Sequence, residues 1–210
     1  MQRPAALPLI RVFATPGVSW PGAPLRGTSL RGRIVAGNVS IACALGKGGI
    51  THGKREGDGA TPAGAHRPVH GYYRADRIRK PATAVPLAPL RADDGWCDAT
   101  GHSRYNRHVT LPFPARHETM WRDDHLYDIV IDLGWNARPR AQGRGSAIFL
   151  HLAREDGGPT EGCIAVPRDK ARRLLALLGP RTRIVVAGKP KPVRKRKSVR
   201  KPVPVKPRRR

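Results

Sequence analysis

Long hydrophobic runs, aromatic side chains and acidic residues are all scarce in this chain of 210 residues. No stretch approaches the roughly 20 consecutive apolar residues that a membrane-spanning helix needs, so the sequence predicts no transmembrane helix. The apolar run at 5–10 contains Pro8 and ends at Arg11, which makes it too short for the core of a secretory signal. Aromatic residues are only 5% of the chain, which argues against the clustered rings that bind unpaired RNA bases.

Cysteine is also rare, with only 3 in the chain. Three thiols cannot all pair with one another, so we predict at least one free thiol. Cys43 lies in an apolar run and is predicted to be a small core residue. The sequence around Cys97 predicts no particular role for that residue. The close spacing typical of zinc ligands is missing, and a zinc site stays an open alternative for Cys97, His102, His108, His151 and Cys163.

Positive charge is abundant by contrast, with 40 Lys and Arg against 15 Asp and Glu. Twelve of the basic residues and none of the acidic ones lie at 189–210, so the remainder still carries a net charge of +13. Such a proline-punctuated basic segment cannot bury an apolar face, and we predict a disordered tail at 188–210. Two roles stay open for it: adhesion to a polyanion such as nucleic acid, anionic lipid or an acidic wall polymer, or solvation of the protein.

Glycine and proline are frequent, with 23 and 21 residues, and they favour a mainly β domain with many turns. The length suits one domain, which we place at 26–187 after a Pro/Gly-rich leader at 1–25. Two β-like runs at 33–36 and 39–45 flank Gly37-Asn38, a dipeptide that predicts a tight hairpin turn. The segment between 46 and 64 has no periodicity and is predicted to be a functional loop.

The second half of the domain alternates strands with one helix. Residues 127–134 alternate in polarity and predict a half-buried strand, whereas 146–152 are apolar on both faces and predict a central strand. A helix is predicted after Pro167, with a core stripe formed by Ala171, Leu174, Leu175 and Leu178. A final strand is predicted at 183–187, so the expected fold is mainly β with one or two short helices.

The residues around Cys163 form a pattern that is typical of a thiol active site. Gly162 precedes the cysteine, and His151 lies twelve positions upstream at the end of the central strand. An imidazole or nearby backbone amides can activate a thiol, and the amides of Gly162 and Cys163 could bind an oxyanion, a combination suited to acyl transfer. The same spacing also fits a core histidine with one backbone hydrogen bond beside a packed Gly-Cys pair.

Three motifs occur in order along the chain: GDGATPAG at 57–64, IFLH at 148–151 and TEGCI at 160–164. With WCD at 96–98, YN at 105–106 and YDIV at 127–130, they resemble the YkuD-type L,D-transpeptidase catalytic domain in its short single-domain bacterial form. The resemblance covers about residues 28–187. It implies a β-sandwich-like fold with the active site on the loop between a central strand and the C-terminal helix.

The resemblance also implies a chemistry and a set of site residues. Cys163 would be the nucleophile and His151 the general base, while Thr160, Glu161 and Gly162 would shape the site and its oxyanion hole. The enzyme would attack the bond between the L-centre of meso-diaminopimelate and D-alanine in a peptidoglycan stem tetrapeptide, release D-alanine and pass the acyl group to an amine. The product would be a 3-3 cross-link or a protein attached to the wall, with no metal or organic cofactor.

Two positions differ from many members of that family. Glu161 stands where a second histidine often precedes the Gly-Cys pair, and Ala165 stands in place of an arginine or asparagine. Arg168 and Arg154 are therefore the residues that we expect to bind stem carboxylates. Two alternatives remain: an L,D-carboxypeptidase or hydrolase that uses water at the same site, and a basic nucleic-acid-binding protein in which Cys163 is structural. The substrate implies the periplasm or cell envelope, by an export route that the sequence leaves open.

Overall fold

The structure is a computed structural model that describes residues 5–15 and 31–187. The predicted tail at 188–210 and most of the predicted leader lie outside these residues. Within them there are fifteen strands and one helix, α1 (Arg168–Leu175). The strands are β1 (Leu9–Ala14), β2 (Arg31–Ala36), β3 (Val39–Ala44), β4 (Ile50–Thr51), β5 (Thr61–Pro62), β6 (Gly64–His66), β7 (His70–Tyr73), β8 (Leu87–Pro89), β9 (Asp94–Cys97), β10 (Arg107–Thr110), β11 (His117–Thr119), β12 (Ile129–Asp132), β13 (Phe149–Leu152), β14 (Ile164–Val166) and β15 (Arg183–Ala187).

Ten of these strands form one mixed sheet in the order β6-β15-β1-β2-β3-β14-β13-β12-β7-β8. Strands from both halves of the sheet and α1 contribute to the main apolar core, so the sheet curls around that core. A three-stranded sheet, β10-β9-β11, and the short pair β4-β5 complete the described structure. The prediction of a mainly β fold with one or two short helices, of the YkuD-like sandwich kind, is confirmed.

The predicted hairpin is present as β2 and β3, which pair antiparallel with Ala36 opposite Val39. Gly37 has a φ of 60°, the left-handed conformation that a two-residue hairpin turn requires. The predicted central strand is also present, because β13 lies between β12 and β14. All four residues of β13 are buried, as the apolar character of both its faces predicts.

Helix α1 forms as predicted immediately after Pro167, and its buried residues are Ala171, Leu174 and Leu175. Leu178, the last member of the predicted stripe, is also buried but lies beyond the end of the helix. The helix covers the core with these side chains and leaves its basic residues toward solvent. Among the described residues no helix is long and apolar enough to cross a membrane.

The first strand corrects the predicted domain boundary. β1 pairs in parallel with β15 and antiparallel with β2, although composition had assigned this segment to the leader. Ile10 and Val12 alternate with more exposed neighbours and are 1% and 0% exposed, so they belong to the core. Pro8 does not prevent this, because it precedes the first residue of the strand. The folded domain therefore includes residues 9–14.

Candidate active site

Cys163 and His151 are brought together by two adjacent strands. β13 and β14 run parallel, with Leu150 opposite Ile164 and His151 opposite Ala165. Alternate residues of a strand face opposite sides of the sheet, so Leu150 and Ile164 enter the main core. Residues of the other parity face the second side, where Cys163 immediately precedes β14. The imidazole and the thiol line one cavity there.

The thiol is largely enclosed and is hydrogen-bonded to the backbone. Cys163 is 8% exposed, and its Sγ lies 3.2 Å from the Ala147 carbonyl oxygen, to which it donates. The amide of Phe149 donates to the same sulfur at 3.3 Å. Burial raises the pKa of the Cys163 thiol to about 12; the Glu118 carboxylate adds to this rise, while the Phe149 amide and the Lys54 ammonium oppose it. The resting thiol is therefore protonated.

The imidazole is fixed in one tautomer. His151 Nδ1 lies 2.7 Å from the Leu152 carbonyl oxygen, and since a carbonyl can only accept, the proton is on Nδ1. Nε2 then carries the lone pair that a general base needs. Burial lowers the pKa of His151 to about 4, against the opposing effect of the bond to Leu152. The resting imidazole is therefore neutral and able to accept a proton.

The carbonyl that holds the thiol belongs to a residue in an unusual conformation. Ala147 has a φ of 51°, a left-handed value that is rare for residues other than glycine. Its amide donates to Asn106 Oδ1 at 3.2 Å, and the same oxygen accepts the indole N–H of Trp96 at 3.0 Å. Asn106 in turn donates to the Trp135 carbonyl at 2.8 Å. This buried network sets the position of the acceptor that faces Cys163.

The thiol and the imidazole share a cavity of about 730 Å³. Among the other residues lining it are Lys54, Glu56, Arg116, Glu118, Arg122, Tyr127 and Arg154. Tyr127 packs edge-on against His151 with ring centroids 5.3 Å apart, and its hydroxyl donates to Glu118 Oε1 at 2.5 Å. Burial raises the pKa of Glu118, with the hydrogen bond from Tyr127 opposing that rise. Positively and negatively charged side chains therefore line the cavity that holds the sulfur.

Thr160 and Gly162 shape the turn that presents the thiol. Thr160 Oγ1 donates to the Cys163 carbonyl at 2.7 Å and accepts the Gly162 amide at 3.2 Å. Gly162 has a φ of 133°, and a Cβ there would lie 2.9 Å from the Ala60 carbonyl oxygen. Only glycine fits this position without strain. In this arrangement the Gly162 amide is occupied by Thr160.

Glu161 lies at the mouth of the cavity. Its side chain is 75% exposed and forms an ion pair with Lys47 at 2.8 Å. The Lys47 side chain is 57% exposed. The pair joins the thiol turn to the loop that follows β3 across the outside of the protein. An exposed ion pair of this kind contributes little to stability. Its place at the rim of the cavity is therefore its main feature.

The two arginines expected to bind carboxylates are placed differently. Arg154 lines the thiol cavity and an adjoining cavity of about 1280 Å³. Arg168 lines only the adjoining cavity, where its Nη2 donates to Asp128 Oδ2 at 2.8 Å. Asp128 is 1% exposed and also bonds Arg77 at 3.0 Å. Arg168 is therefore engaged by a buried carboxylate, outside the cavity that holds the thiol.

Several site residues were missed by the sequence analysis, namely Lys54, Glu118, Arg122 and Tyr127. Lys54 lies in the loop between β4 and β5, and Glu118 lies in the short strand β11. Tyr127 was assigned to a half-buried strand and to the YDIV motif but not to the site, although it precedes β12 and packs against the candidate base. Their positions depend on contacts between distant segments, which local patterns do not encode.

The remaining cysteines lie in the protein interior. Cys43 and Cys97 are each 0% exposed, and burial raises the pKa of Cys43 to about 12. All three cysteines are free thiols. Within residues 5–15 and 31–187, no group of three or more His, Cys, Asp and Glu side chains is arranged to hold a metal ion. The residues of the alternative zinc site are thus not assembled in the described structure.

Comparison with known proteins identifies one family. The family model described as YkuD, the L,D-transpeptidase catalytic domain, matches residues 30–186, well over half of the chain. The matched segment contains β3, the loop that follows it and the whole of the thiol cavity. No curated protein and no solved structure matches the chain.

Proposed function

We propose, on the premise that this chain belongs to the YkuD family of L,D-transpeptidase catalytic domains, that it is a cysteine-dependent acyltransferase acting on peptidoglycan. Its donor is a stem tetrapeptide that ends in D-alanine, and its acceptor is an amine of a neighbouring stem or of a wall-attached protein. The single observation that carries the proposal is that Cys163 and His151, whose Nδ1 is held by the Leu152 carbonyl, line the same cavity.

The first half of the reaction forms a thioester. The sulfur of Cys163 attacks the carbonyl carbon of the bond that links the L-centre of diaminopimelate to D-alanine, and its proton passes to His151 Nε2. The tetrahedral intermediate then breaks its C–N bond, and His151 returns the proton to the departing amine of D-alanine. Both side chains start neutral, so the proton moves as the C–S bond forms rather than beforehand.

The second half transfers the acyl group. An acceptor amine attacks the thioester carbonyl, and His151 accepts the proton that the amine loses. Collapse of the second intermediate breaks the C–S bond, and the proton passes from His151 to the sulfur, which restores the thiol. The backbone amides near Gly162 and Cys163 are the donors proposed for the oxyanion; the Gly162 amide would have to exchange its bond to Thr160 for the new one.

Mass spectrometry of the intact protein tests this proposal directly. The full chain is incubated with a disaccharide tetrapeptide, with and without an acceptor stem. The masses of the protein and of the products are then measured. We expect an acyl adduct on Cys163, released D-alanine and, with acceptor present, a 3-3 linked dimer. Release of D-alanine with a free tripeptide as the sole product would assign the carboxypeptidase alternative. No adduct and no product would contradict the proposal.

We propose further that the protein works in the periplasm or cell envelope and that residues 189–210 hold it on the anionic wall. The proposal is supported by the 12 basic and no acidic residues of that segment. The test is co-sedimentation with purified sacculi of the full chain and of a form that ends at residue 188. The shorter form should bind more weakly and acylate at an unchanged rate. Sequence-selective nucleic-acid binding that survives the truncation would favour the nucleic-acid alternative instead.

A further inference from the structure

A buried lysine outside the Cys-His pair lies beside the candidate nucleophile. Lys54 belongs to the loop between β4 and β5, and its side chain is 3% exposed. Its Nζ lies 2.5 Å from Asp58 Oδ1, and the Asp58 side chain is 26% exposed. A buried ammonium group is costly unless it is paired, so Asp58 makes its presence in the interior possible.

Asp58 is held firmly in its own loop. Its Oδ1 accepts the amide of Ala60 at 2.9 Å and its Oδ2 accepts the amide of Arg55 at 2.8 Å. Burial raises the pKa of Asp58, but hydrogen bonds from Lys54 and from these amides outweigh it and lower the pKa below its usual value. The carboxylate is therefore charged at neutral pH and fixed at the outer side of the loop.

The ammonium end of this pair points toward the thiol. Lys54 Nζ is 3.2 Å from the position that a Cβ on Gly162 would occupy, next to the nucleophile in sequence. Lys54 Cε is 2.8 Å from the corresponding position on Gly145. The side chain thus passes between two glycines, and any larger residue at either one would displace it. Lys54 lines the thiol cavity, whereas Asp58 does not, so the positive end of the ion pair faces Cys163.

We propose that Lys54 is a positioning residue whose buried ammonium stabilises the thiolate character of Cys163 as its proton moves to His151. The inference deepens the proposed function and rests on its assignment of Cys163 as nucleophile. A positive charge acts strongly on a nearby sulfur in this enclosed site, because little water screens it. Its effect opposes that of Glu118, whose carboxylate disfavours the thiolate.

Two substitutions at this pair separate an electrostatic role from a structural one. Lys54→Met removes the charge that faces the sulfur, so alkylation of Cys163 by iodoacetamide at pH 7 should slow about tenfold. Asp58→Asn keeps a side-chain oxygen that can accept a hydrogen bond from the ammonium but removes the negative charge beside it, so alkylation should become faster and its pH profile should shift to lower pH. A purely structural ion pair predicts that both variants change reactivity in the same direction, since both break the same contact.

The measurement uses the full-length chain and the rate of alkylation between pH 5 and pH 10, with intact mass to count adducts. Cys163→Ala reports any background from Cys43 and Cys97. Lys80→Met is the matched control, because it removes one exposed charge outside the cavity lining. Circular dichroism and thermal melting confirm that each variant is folded. If Lys54→Met does not fold, Lys54→Gln replaces it. Asp58→Asn alone still shows whether removing the counter-charge speeds or slows the alkylation of Cys163.

Shifts of the two variants in the same direction, or no shift in either, would overturn the role of Lys54. Alkylation requires no peptidoglycan, so this result is independent of whether the proposed substrate is correct. Opposite shifts with no acyl transfer to any stem peptide would support the role of Lys54 and reject the proposed function. The two failures are thereby distinguished.

Discussion

Cys163 and His151 reach one cavity from the same side of two parallel strands, and each donates its proton to a backbone carbonyl rather than to the other. The thiol donates to Ala147 and the imidazole to Leu152. Burial raises the pKa of the thiol and keeps the sulfur neutral, and the bond to Leu152 leaves Nε2 of the imidazole without a proton. In the proposed reaction the thiol therefore gives up its hydrogen bond to the Ala147 carbonyl as its proton passes from sulfur to His151.

Replacing the proposed nucleophile should abolish acylation while preserving the fold. Cys163→Ala removes the attacking atom, and Cys163→Ser replaces it with a hydroxyl that His151 activates poorly. We expect no acyl adduct with a tetrapeptide or a carbapenem in either variant, by intact mass. Cys97→Ala serves as the control, because Cys97 lies in β9 outside the cavity lining. An adduct on Cys163→Ala would refute the assignment.

Replacing the proposed general base should slow the chemistry without preventing substrate binding. His151→Gln keeps a polar side chain but removes the proton acceptor, and kcat/KM should fall by roughly 10²- to 10⁴-fold. The matched control is His102→Gln, since His102 lies outside the cavity lining. The steady-state rate of D-alanine release gives kcat/KM for both variants. A loss of less than about threefold in His151→Gln would argue that another group accepts the proton.

Activity should decline in acid with a midpoint near the pKa of His151. The proton-accepting form is the neutral imidazole, and burial places its pKa at about 4. In the wild type kcat/KM should thus be constant at neutral pH and fall as the pH drops through about 4. Circular dichroism at each pH separates this titration from unfolding. A midpoint between pH 6 and 7 would show that the imidazole is solvated in the free enzyme.

Asp128 should stabilise the fold at neutral pH and cease to do so in acid. Burial alone would raise its pKa, but hydrogen bonds from Arg168, Arg77 and His125 lower it below 3.8. Its contribution is therefore present above the unfolded pKa and is lost as the pH falls through the lower folded value. Asp128→Asn should lower the free energy of unfolding by about 3 kcal/mol at pH 7. Urea titrations at pH 7 and pH 3 check this, and a difference that does not become smaller at pH 3 would contradict it.

Gly162→Ala should damage the thiol site more than the fold as a whole. A Cβ there meets the Ala60 carbonyl at 2.9 Å, and the φ of 133° is strained for alanine. We expect a loss of about 1–3 kcal/mol in stability and a larger fractional loss of acylation rate, because the turn that holds Cys163 must shift. Gly53→Ala is the control, since its nearest neighbour is Thr51 Oγ1 at 3.9 Å. Equal effects of the two substitutions would disprove the steric argument.

Features set by local patterns could be predicted from the sequence. The hairpin followed from Gly37-Asn38, which needs a left-handed turn, and the helix followed from Pro167 and the apolar stripe that begins at Ala171. The central strand was recognisable because both of its faces are apolar. The spacing of His151 and Cys163 suggested a pair, and the structure places them in one cavity by the parallel register of β13 and β14.

Features set by contacts between distant segments could not be predicted in this way. Lys54 lies in a loop without periodicity, and only the folded chain brings its ammonium next to Gly162. Arg168 is close to Cys163 in sequence, yet it turns to Asp128 in the adjoining cavity. β1 looked like part of a leader because Pro8 interrupts its apolar run, while its partners are β2 and β15.

The position of β15 has a consequence for how this protein is made. β15 lies between β1 and β6 in the sheet, and both of these partners precede it along the chain. Until residue 187 has left the ribosome, both of those neighbours lack the strand that lies between them. Among residues 5–15 and 31–187, β1 and β15 are the paired strands farthest apart along the chain, so completing the sheet requires the closure of a long loop after β15 has been made.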